Sequence, residues 1–195
     1  MSSVSKPHHE ACDTMSLNLD QLWKEQGDGK IRVCTLTPKY LNIVWGNDDR
    51  YWKIPKDDKG KELEGLAELV QVSWLEVTGV VPLPEVTVGK KYKVRFQVSL
   101  MAKHATSWGS CPVFLMAKVG KKGKYSWKRI KSLNLRSSGD DEVPFLIPDK
   151  DDGELIVTVT SGSADNNLLY FGLYEVWSGK LKKGLKIHHV CISEC

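Results

Sequence analysis

The sequence lacks the signals that would place it in a membrane or among zinc and redox proteins. None of its apolar runs approaches the roughly 18 residues of a membrane span, so we expect no membrane insertion. Its five cysteines stand far apart, and no two of them form a Cys-x-x-Cys pair, at positions 12, 34, 111, 191 and 195. That spacing gives no support to a zinc site or a thioredoxin-like site. We therefore predict no metal and no cofactor.

Catalytic motifs are also lacking. The chain has no Gly-x-Ser-x-Gly element, and no cysteine stands in a recognisable catalytic setting. His188 and His189 are neighbours in a predicted strand, so their side chains point to opposite faces and do not share one metal. The first 23 residues carry no apolar stretch of the kind found in a secretory signal. The expectation is a protein that binds a ligand without transforming it.

What the sequence does contain is alternation of apolar and polar residues from residue 31 onward. The segment Lys91 to Leu100 is the clearest example, because every second residue from Tyr92 onward is apolar. This pattern is typical of a strand with one wet face. Further strands are predicted over residues 41–45, 69–78, 112–119, 125–135, 154–160, 168–177 and 186–192. Many short strands without a long helix predict an all-β, antiparallel β-sandwich whose two sheets cover each other.

The composition is that of one globular domain. The chain has 195 residues, a net charge of +4, 41% hydrophobic residues and 27% charged residues. That length is enough for a single core. Residues 1–30 are polar and weakly patterned, and only residues 17–23 could form a short docking helix. We therefore predict a flexible N-terminal tail and linker over 1–30 and one domain over 31–195. A second short helix is possible over residues 59–67.

The first candidate binding site is a polar turn between two tryptophans. Trp45 ends a predicted strand, and Tyr51, Trp52 and Lys53 follow the turn formed by residues 46–50. A flat aromatic ring beside hydrogen-bonding groups suits a sugar, which shows C–H bonds on one face and hydroxyls around its rim. The alternative is that both indoles lie in the core. A second candidate has the same chemistry, because Glu175, Trp177 and Lys180 lie at the end of a late strand.

A basic run with interleaved aromatics supports a different function. Residues 118–131 (KVGKKGKYSWKRIK) contain Tyr125 and Trp127 among lysines and arginines. Positive charge beside stacking rings is what single-stranded RNA would need. The alternative is a solvated hairpin whose lysines protect a sheet edge.

Four segments in order resemble the phloem protein two lectins of the tobacco-agglutinin (Nictaba) type. They are NIVWGNDDRYWKIP, ELVQVSWLEVTG, KKYKVRFQVSL and LYEVWSGKLKKGLKI, within residues 31 to 192. The resemblance implies a jelly-roll-like β-sandwich that binds N-acetylglucosamine oligomers (chitooligosaccharides) and the chitobiose core of N-glycans, hence N-glycosylated proteins. It implies a cytoplasmic plant protein of the phloem sap, with the nucleus as a second location, that is often dimeric. Other phloem proteins are further candidate partners, as is RNA through the basic run over residues 118–131. The family's sugar-binding tryptophans fall on Trp45 and Trp52, and its glutamate falls near Glu175.

Two further expectations follow. The turn after Trp45 and the strand end at Trp177 should converge at one end of the sandwich. Glu175 or Lys180 should then lie within hydrogen-bonding reach of a sugar held by Trp52. If the two segments do not converge, Trp108 and Trp127 are the remaining aromatic candidates.

Overall fold

The computed structural model describes residue 14 and residues 17–28, 31–56, 58, 64–131, 133–136, 143–162 and 167–195, with only the backbone of Leu135. In this part of the chain a single α-helix, α1 (Leu19–Leu22), comes first, and thirteen strands follow it. All of these strands pair antiparallel. The strands are β1 (Trp23–Gln26), β2 (Ile31–Leu36), β3 (Asn42–Ile43), β4 (Trp52–Lys53), β5 (Ala67–Leu69), β6 (Leu75–Pro82), β7 (Lys91–Leu100), β8 (Phe114–Val119), β9 (Ser126–Arg129), β10 (Phe145–Ile147), β11 (Ile156–Thr158), β12 (Leu168–Glu175) and β13 (Leu185–Glu194). Short 3-10 helices lie at Pro38–Tyr40, Ala102–Trp108 and Leu133–Arg136.

The strands form two sheets that confirm the predicted all-β sandwich. The smaller sheet has the order β3-β6-β12-β8-β9. The larger sheet has eight strands centred on β13, which pairs with β2 and β5 along one side and with β7 along the other. Strands such as β6 and β8 bury every second side chain. This alternation arises because successive side chains of a strand point to opposite faces.

The core lies between the two sheets. Phe96 of β7 meets Phe171 of β12 edge to face, with ring centroids 6.1 Å apart. The ring of Phe171 also explains why a glycine, Gly79, lies inside β6, which continues beyond the predicted strand end at residue 78. A Cβ at position 79 would lie 2.3 Å from that ring, so only glycine leaves room for it.

The predicted tail is partly wrong. Leu19–Leu22 forms the short helix α1, capped by Asn18, and β1 then pairs with β2. The indole of Trp23 is buried and donates a hydrogen bond to the carbonyl of Pro82 at 2.8 Å. This hydrogen bond and the β1–β2 pairing attach residues 19–26 to the domain. Residues 19–26 are therefore part of the folded domain. Residues 1–13 lie outside the described part of the chain.

Several of the predicted elements also differ from the structure. Of the predicted strand 125–135 only Ser126–Arg129 is formed, and a 3-10 helix follows at Leu133–Arg136. The predicted strand 69–78 is interrupted, since β5 ends at Leu69 and β6 begins at Leu75. The predicted strand 41–45 is shortened to Asn42–Ile43, because the chain turns at Trp45. Most of the possible helix 59–67 lies outside the described residues, and its last residue begins β5.

Candidate functional site

The outer face of the five-stranded sheet carries an exposed cluster of large aromatic side chains. Phe114 lies between two indoles, with its ring centroid 5.7 Å from that of Trp127 and 5.1 Å from that of Trp177. Trp127 is 59% exposed and Trp177 is 58% exposed. Together with Pro112 and Met116 they line a groove of about 450 Å³, which we call the aromatic groove.

Strand geometry explains why these residues share a face. In β8, Leu115 and Ala117 point into the core, so Phe114 and Met116 point outward. Met116 is paired with Trp127 of β9, which places the indole on the same outer face. Trp177 follows the end of β12, whose Tyr174 is paired with Phe114. Neighbouring strands therefore bring together residues that are more than 60 positions apart in the sequence.

The loop after β12 is fixed by a buried ion pair. The carboxylate of Glu175 accepts hydrogen bonds from the backbone N–H of Ser178 at 3.0 Å and from its hydroxyl at 2.9 Å. The same carboxylate is paired with the ammonium of Lys182, and both side chains are completely buried. Burial by itself would raise the pKa of Glu175, but the hydrogen bonds from Lys182 and Ser178 lower that pKa below its usual range. Trp177 therefore projects from a loop that is held on both sides.

Two polar residues that are bonded to each other lie close in the sequence to lining residues of the aromatic groove. Lys180 is exposed, and its ammonium donates a hydrogen bond to the hydroxyl of Ser110, two residues before Pro112. The backbone N–H of Lys180 donates to the hydroxyl of Ser178 at 3.2 Å. Hydrogen-bonding groups therefore stand beside an apolar surface, which is the combination that orients a small polar ligand.

Two of the predicted contact residues are corrected by the structure. Trp52 is only 1% exposed and is paired with Leu69, so its indole fills the core and offers no face to a sugar. Glu175 has no exposed surface and is already saturated with hydrogen bonds, so it supports the loop instead of contacting a ligand. Trp52 looks like a surface residue in the sequence because Arg50 and Lys53 lie on either side of it, and Glu175 looks like one because carboxylates are seldom fully buried.

The turn over residues 45–53 keeps part of its predicted character. Trp45 and Tyr51 are half-buried, and their ring centroids are 5.3 Å apart. Arg50 forms an ion pair with Asp48 and lies 5.5 Å from the ring of Tyr51. Lys53 is exposed, with its ammonium 4.0 Å from a carboxylate oxygen of Glu68. The turn thus presents an aromatic pair whose charged neighbours are satisfied within the chain.

Backbone contacts connect the 45–53 turn to the loop after β12 through one short segment. The backbone N–H of Val70 donates to the carbonyl of Tyr51 at 2.9 Å. Two residues later, Val72 forms a β-bridge with Lys182. The segment 69–72 thus joins the 45–53 turn to the loop that carries Trp177. Because the indole of Trp52 is buried, it does not contact a ligand bound at Trp177.

The turn of the β8–β9 hairpin forms a second concavity, which we call the lysine pocket. It has a volume of about 510 Å³ and lies between residues 119–126 of the hairpin and residues 157–162. Lys122 and Lys124 line it together with Tyr125 and the hydroxyl-bearing residues Ser126 and Thr158. Lys118 points the other way, with its ammonium 4.7 Å from the centroid of the Tyr125 ring and 5.6 Å from that of Tyr170.

Phe114, the central residue of the aromatic groove, was not predicted from the sequence. Residues 112–119 were assigned to a strand, but Phe114 was not proposed as a site residue. The sequence does indicate this face, because the predicted strand is apolar on both sides. Phe114 and Met116 lie on one face, and Leu115 and Ala117 lie on the other. A strand that is apolar on both faces at a sheet surface indicates a binding face. Trp108, the other reserve candidate, is buried and donates to the carbonyl of Lys183 at 2.8 Å.

Other types of site find no support in the described residues. No three of their histidine, cysteine, aspartate or glutamate side chains are arranged so as to hold a metal ion. Within the same part of the chain, no helix is long and apolar enough to cross a membrane.

Comparison with known proteins identifies sequence relatives. A family model described as phloem protein 2 matches residues 32–193. The chain is 42% identical to a protein of Arabidopsis thaliana named PHLOEM PROTEIN 2-LIKE A9, over all of this chain and 99% of that protein. It is also 35% identical over 69 residues to a protein of Luffa acutangula named lectin, which covers 35% of this chain and 32% of that one.

Comparison with solved structures is less informative. A structure titled "CBM4 structure and function" aligns with 84% of this chain and 82% of its own, at 8% sequence identity and a TM-score of 0.30. A score that low carries no argument about function.

Proposed function

The chain belongs to the phloem protein 2 family, and we propose that it is a lectin that binds oligosaccharides of N-acetylglucosamine in the aromatic groove. The observation that carries the proposal is the pair of indoles, each more than half exposed, on either side of Phe114. A large apolar surface left open to solvent is unfavourable unless a ligand covers it. The relative named lectin supports carbohydrate as the ligand class.

The aromatic groove suits a pyranose ring. An indole covers the C–H face of a sugar and has only two rotatable angles, so little side-chain entropy is lost on binding. Phe114 holds both indoles edge to face and limits their movement further. A volume of about 450 Å³ lies within the ordinary range for a small-ligand site. The platform is therefore organised before the ligand arrives.

The proposed preference for N-acetylglucosamine is based on the acetamido group of this sugar. Its methyl group is apolar and needs an apolar wall, which Pro112 and Met116 provide. Its amide and the neighbouring hydroxyls need polar partners, and we infer that Lys180 and Ser110, three and two positions from the lining residues Trp177 and Pro112, supply them. A second sugar along the groove extends the contact, so we propose that chitooligosaccharides and the chitobiose core of N-glycoproteins are the ligands.

We propose binding without catalysis. Hydrolysis of a glycosidic bond commonly needs two carboxyl groups on either side of it, about 5 to 10 Å apart. Among the described residues that line the aromatic groove there is no carboxylate. The acidic side chain nearest to Trp177 in the sequence, Glu175, is buried in its ion pair with Lys182.

The experiment is a titration of the purified protein with chitotriose by calorimetry. We expect Trp177→Ala and Trp127→Ala each to abolish measurable binding while the thermal melt stays unchanged. The matched control is Trp74→Ala, because Trp74 is 44% exposed but does not line the groove, and its indole is hydrogen-bonded to Glu76 at 2.9 Å. Full chitotriose affinity in both groove variants would refute the proposal.

A second candidate function is binding of single-stranded RNA. It is favoured by Tyr125 and Trp127, two exposed rings two positions apart on a hairpin with exposed lysines. Salt separates it from sugar binding. Each phosphate contact steepens the fall of log affinity with log salt by about 0.7 for single strands, whereas a neutral sugar shows almost no such slope.

A further inference from the structure

The outer face of the five-stranded sheet carries further aromatic side chains beyond the aromatic groove. Tyr125 precedes Trp127 by two positions, and residues two apart in an extended chain point to the same side. Lys118 follows the outward-facing Met116 by two positions in β8, and it is paired with Tyr170 of β12. Tyr125, Lys118 and Tyr170 therefore lie on the same face as the groove, one step further along the strands.

Side-chain contacts support this placement of Tyr125. The ammonium of Lys118 lies 4.7 Å from the centroid of the Tyr125 ring and 5.6 Å from that of Tyr170. A cation beside an aromatic ring is attracted to it, so Lys118 holds Tyr125 against the outer face. Tyr125 nevertheless stays 48% exposed. Part of its ring is therefore open to a ligand.

The spacing of the exposed rings suits a chain of sugars. The ring centroid of Phe114 lies 5.1 Å from that of Trp177 and 5.7 Å from that of Trp127. Two residues of extended chain, about 6 to 7 Å at roughly 3.3 Å per residue, separate Trp127 from Tyr125. The rings thus form a track that runs along β8 and β9 and is longer than the groove itself. A linear oligosaccharide presents an apolar face on each of its sugars and can lie along such a track.

We propose that Tyr125 is a further sugar subsite next to the aromatic groove, so that the preferred ligand is a linear oligosaccharide of at least three sugars. This inference rests on the proposed carbohydrate function. Trp177 and Trp127 each take one sugar, and Tyr125 takes the third. Lys118 is a positioning residue, because it orients the Tyr125 ring.

The charges around this track favour a neutral ligand over a nucleic acid strand. Besides its contacts with the two tyrosine rings, the ammonium of Lys118 donates a hydrogen bond to the carbonyl of Lys121 at 2.7 Å. It is therefore engaged within the protein, whereas a phosphate contact needs a cation that is free to bind it. Among the described residues that line the aromatic groove there is no lysine or arginine.

The test compares chitobiose with chitotriose by calorimetric titration. We expect the wild-type protein to bind chitotriose about tenfold more tightly, because one more ring face is removed from water. Tyr125→Ala should lose this advantage and keep the wild-type affinity for chitobiose, which the groove alone binds. Tyr125→Phe keeps the ring and should keep the advantage.

The matched control is Tyr40→Ala. The ring of Tyr40 also has a lysine ammonium beside it, that of Lys39 at 4.8 Å from its centroid. It precedes β3, which forms the opposite edge of the five-stranded sheet from β9. This variant should keep the advantage of chitotriose. A thermal melt checks that every variant is folded at the temperature of the titration.

Several results would overturn the inference and leave the proposed function intact. They are equal wild-type affinities for the two sugars, an advantage that persists in Tyr125→Ala, and an advantage that is lost in Tyr125→Phe. A short oligoribonucleotide that binds more tightly than chitotriose and depends on the Tyr125 ring would also overturn it, since the ring would then serve nucleic acid. If neither sugar binds, the carbohydrate function itself fails, and the subsite with it.

Discussion

Glu175 and Lys182 form an ion pair in which neither side chain has any exposed surface. Both charged groups also form hydrogen bonds with neighbouring residues. Lys182 donates to the carbonyls of Ser73 at 2.9 Å and Lys180 at 2.8 Å, and Glu175 accepts from Ser178. The pair thus connects the end of β12 to the loop of Trp177 and to the segment before β6.

The first prediction is that Glu175→Gln destabilises the fold. The substitution keeps the size of the side chain, but it replaces one acceptor oxygen by an amide donor and leaves the Lys182 ammonium buried without a counter-charge. Losing one partner of a buried ion pair costs about 3–5 kcal/mol. For a chain of this length that lowers the Tm by roughly 2–4 °C per kcal/mol, which a thermal melt measures.

The control for this prediction removes the unpaired charge. In Glu175→Gln/Lys182→Met the glutamine still accepts from Ser178, and the methionine fills the lysine stem's volume without a charge. We expect the double variant to be more stable than Glu175→Gln alone. An unchanged melt for the single variant, which is what a surface role for Glu175 predicts, would contradict the buried ion pair.

The sequence predicted much of the fold because alternation in strands is a local property. The strand Lys91–Leu100 was predicted with both ends correct, since its apolar set alternates without interruption. Burial of individual aromatics was not predictable in the same way. Trp52 and Trp177 both lie among charged residues, yet one is 1% and the other 58% exposed. The difference in exposure depends on which strands pack next to each tryptophan. That packing cannot be read from the residues beside each tryptophan in the sequence.

The second prediction concerns acid. The pKa of Glu175 in the folded state is lowered by Lys182 and Ser178, against the raising effect of burial. A group with a depressed folded-state pKa contributes stability that is present above its unfolded pKa, about 4.3 for glutamate, and that is lost as the pH falls through the folded value. We therefore expect the wild-type protein to lose more free energy of unfolding between pH 6 and pH 3 than Glu175→Gln/Lys182→Met does.

Denaturant unfolding at several pH values measures this difference. Other carboxylates with lowered pKa values, such as Glu154 beside Lys93, are common to both proteins and cancel in the comparison. Parallel curves of stability against pH for the two proteins would show that the pair makes no contribution in this range.

The third prediction separates Trp52 from Trp177. Trp52→Ala should cost about 3–5 kcal/mol of stability, because it leaves a large cavity in the core. Trp52→Phe should cost less, because the indole N–H has no hydrogen-bond partner in the described structure. Chitotriose titration should show wild-type affinity for Trp52→Phe, since this side chain does not reach the ligand.

Trp177→Ala should give the opposite result. Its side chain is mostly exposed, and exposed positions usually change stability by less than about 0.5 kcal/mol. The melt should stay unchanged while binding is lost. If Trp52→Phe lost chitotriose binding with an unchanged melt, the assignment of Trp52 to the core would be wrong.

The fourth prediction concerns Trp45, which has a φ of 60°. This left-handed conformation is unfavourable for a residue with a Cβ and costs glycine nothing. Trp45→Ala and Trp45→Gly both lose the ring contact with Tyr51, but only glycine relieves the backbone. We expect Trp45→Gly to be more stable than Trp45→Ala by about 1 kcal/mol in denaturant unfolding.

At Lys53, an exposed strand position, alanine should instead be the more stable substitution. The same order at both positions would contradict the left-handed turn, and chitotriose binding that survives Trp45→Gly would leave the aromatic groove as the site.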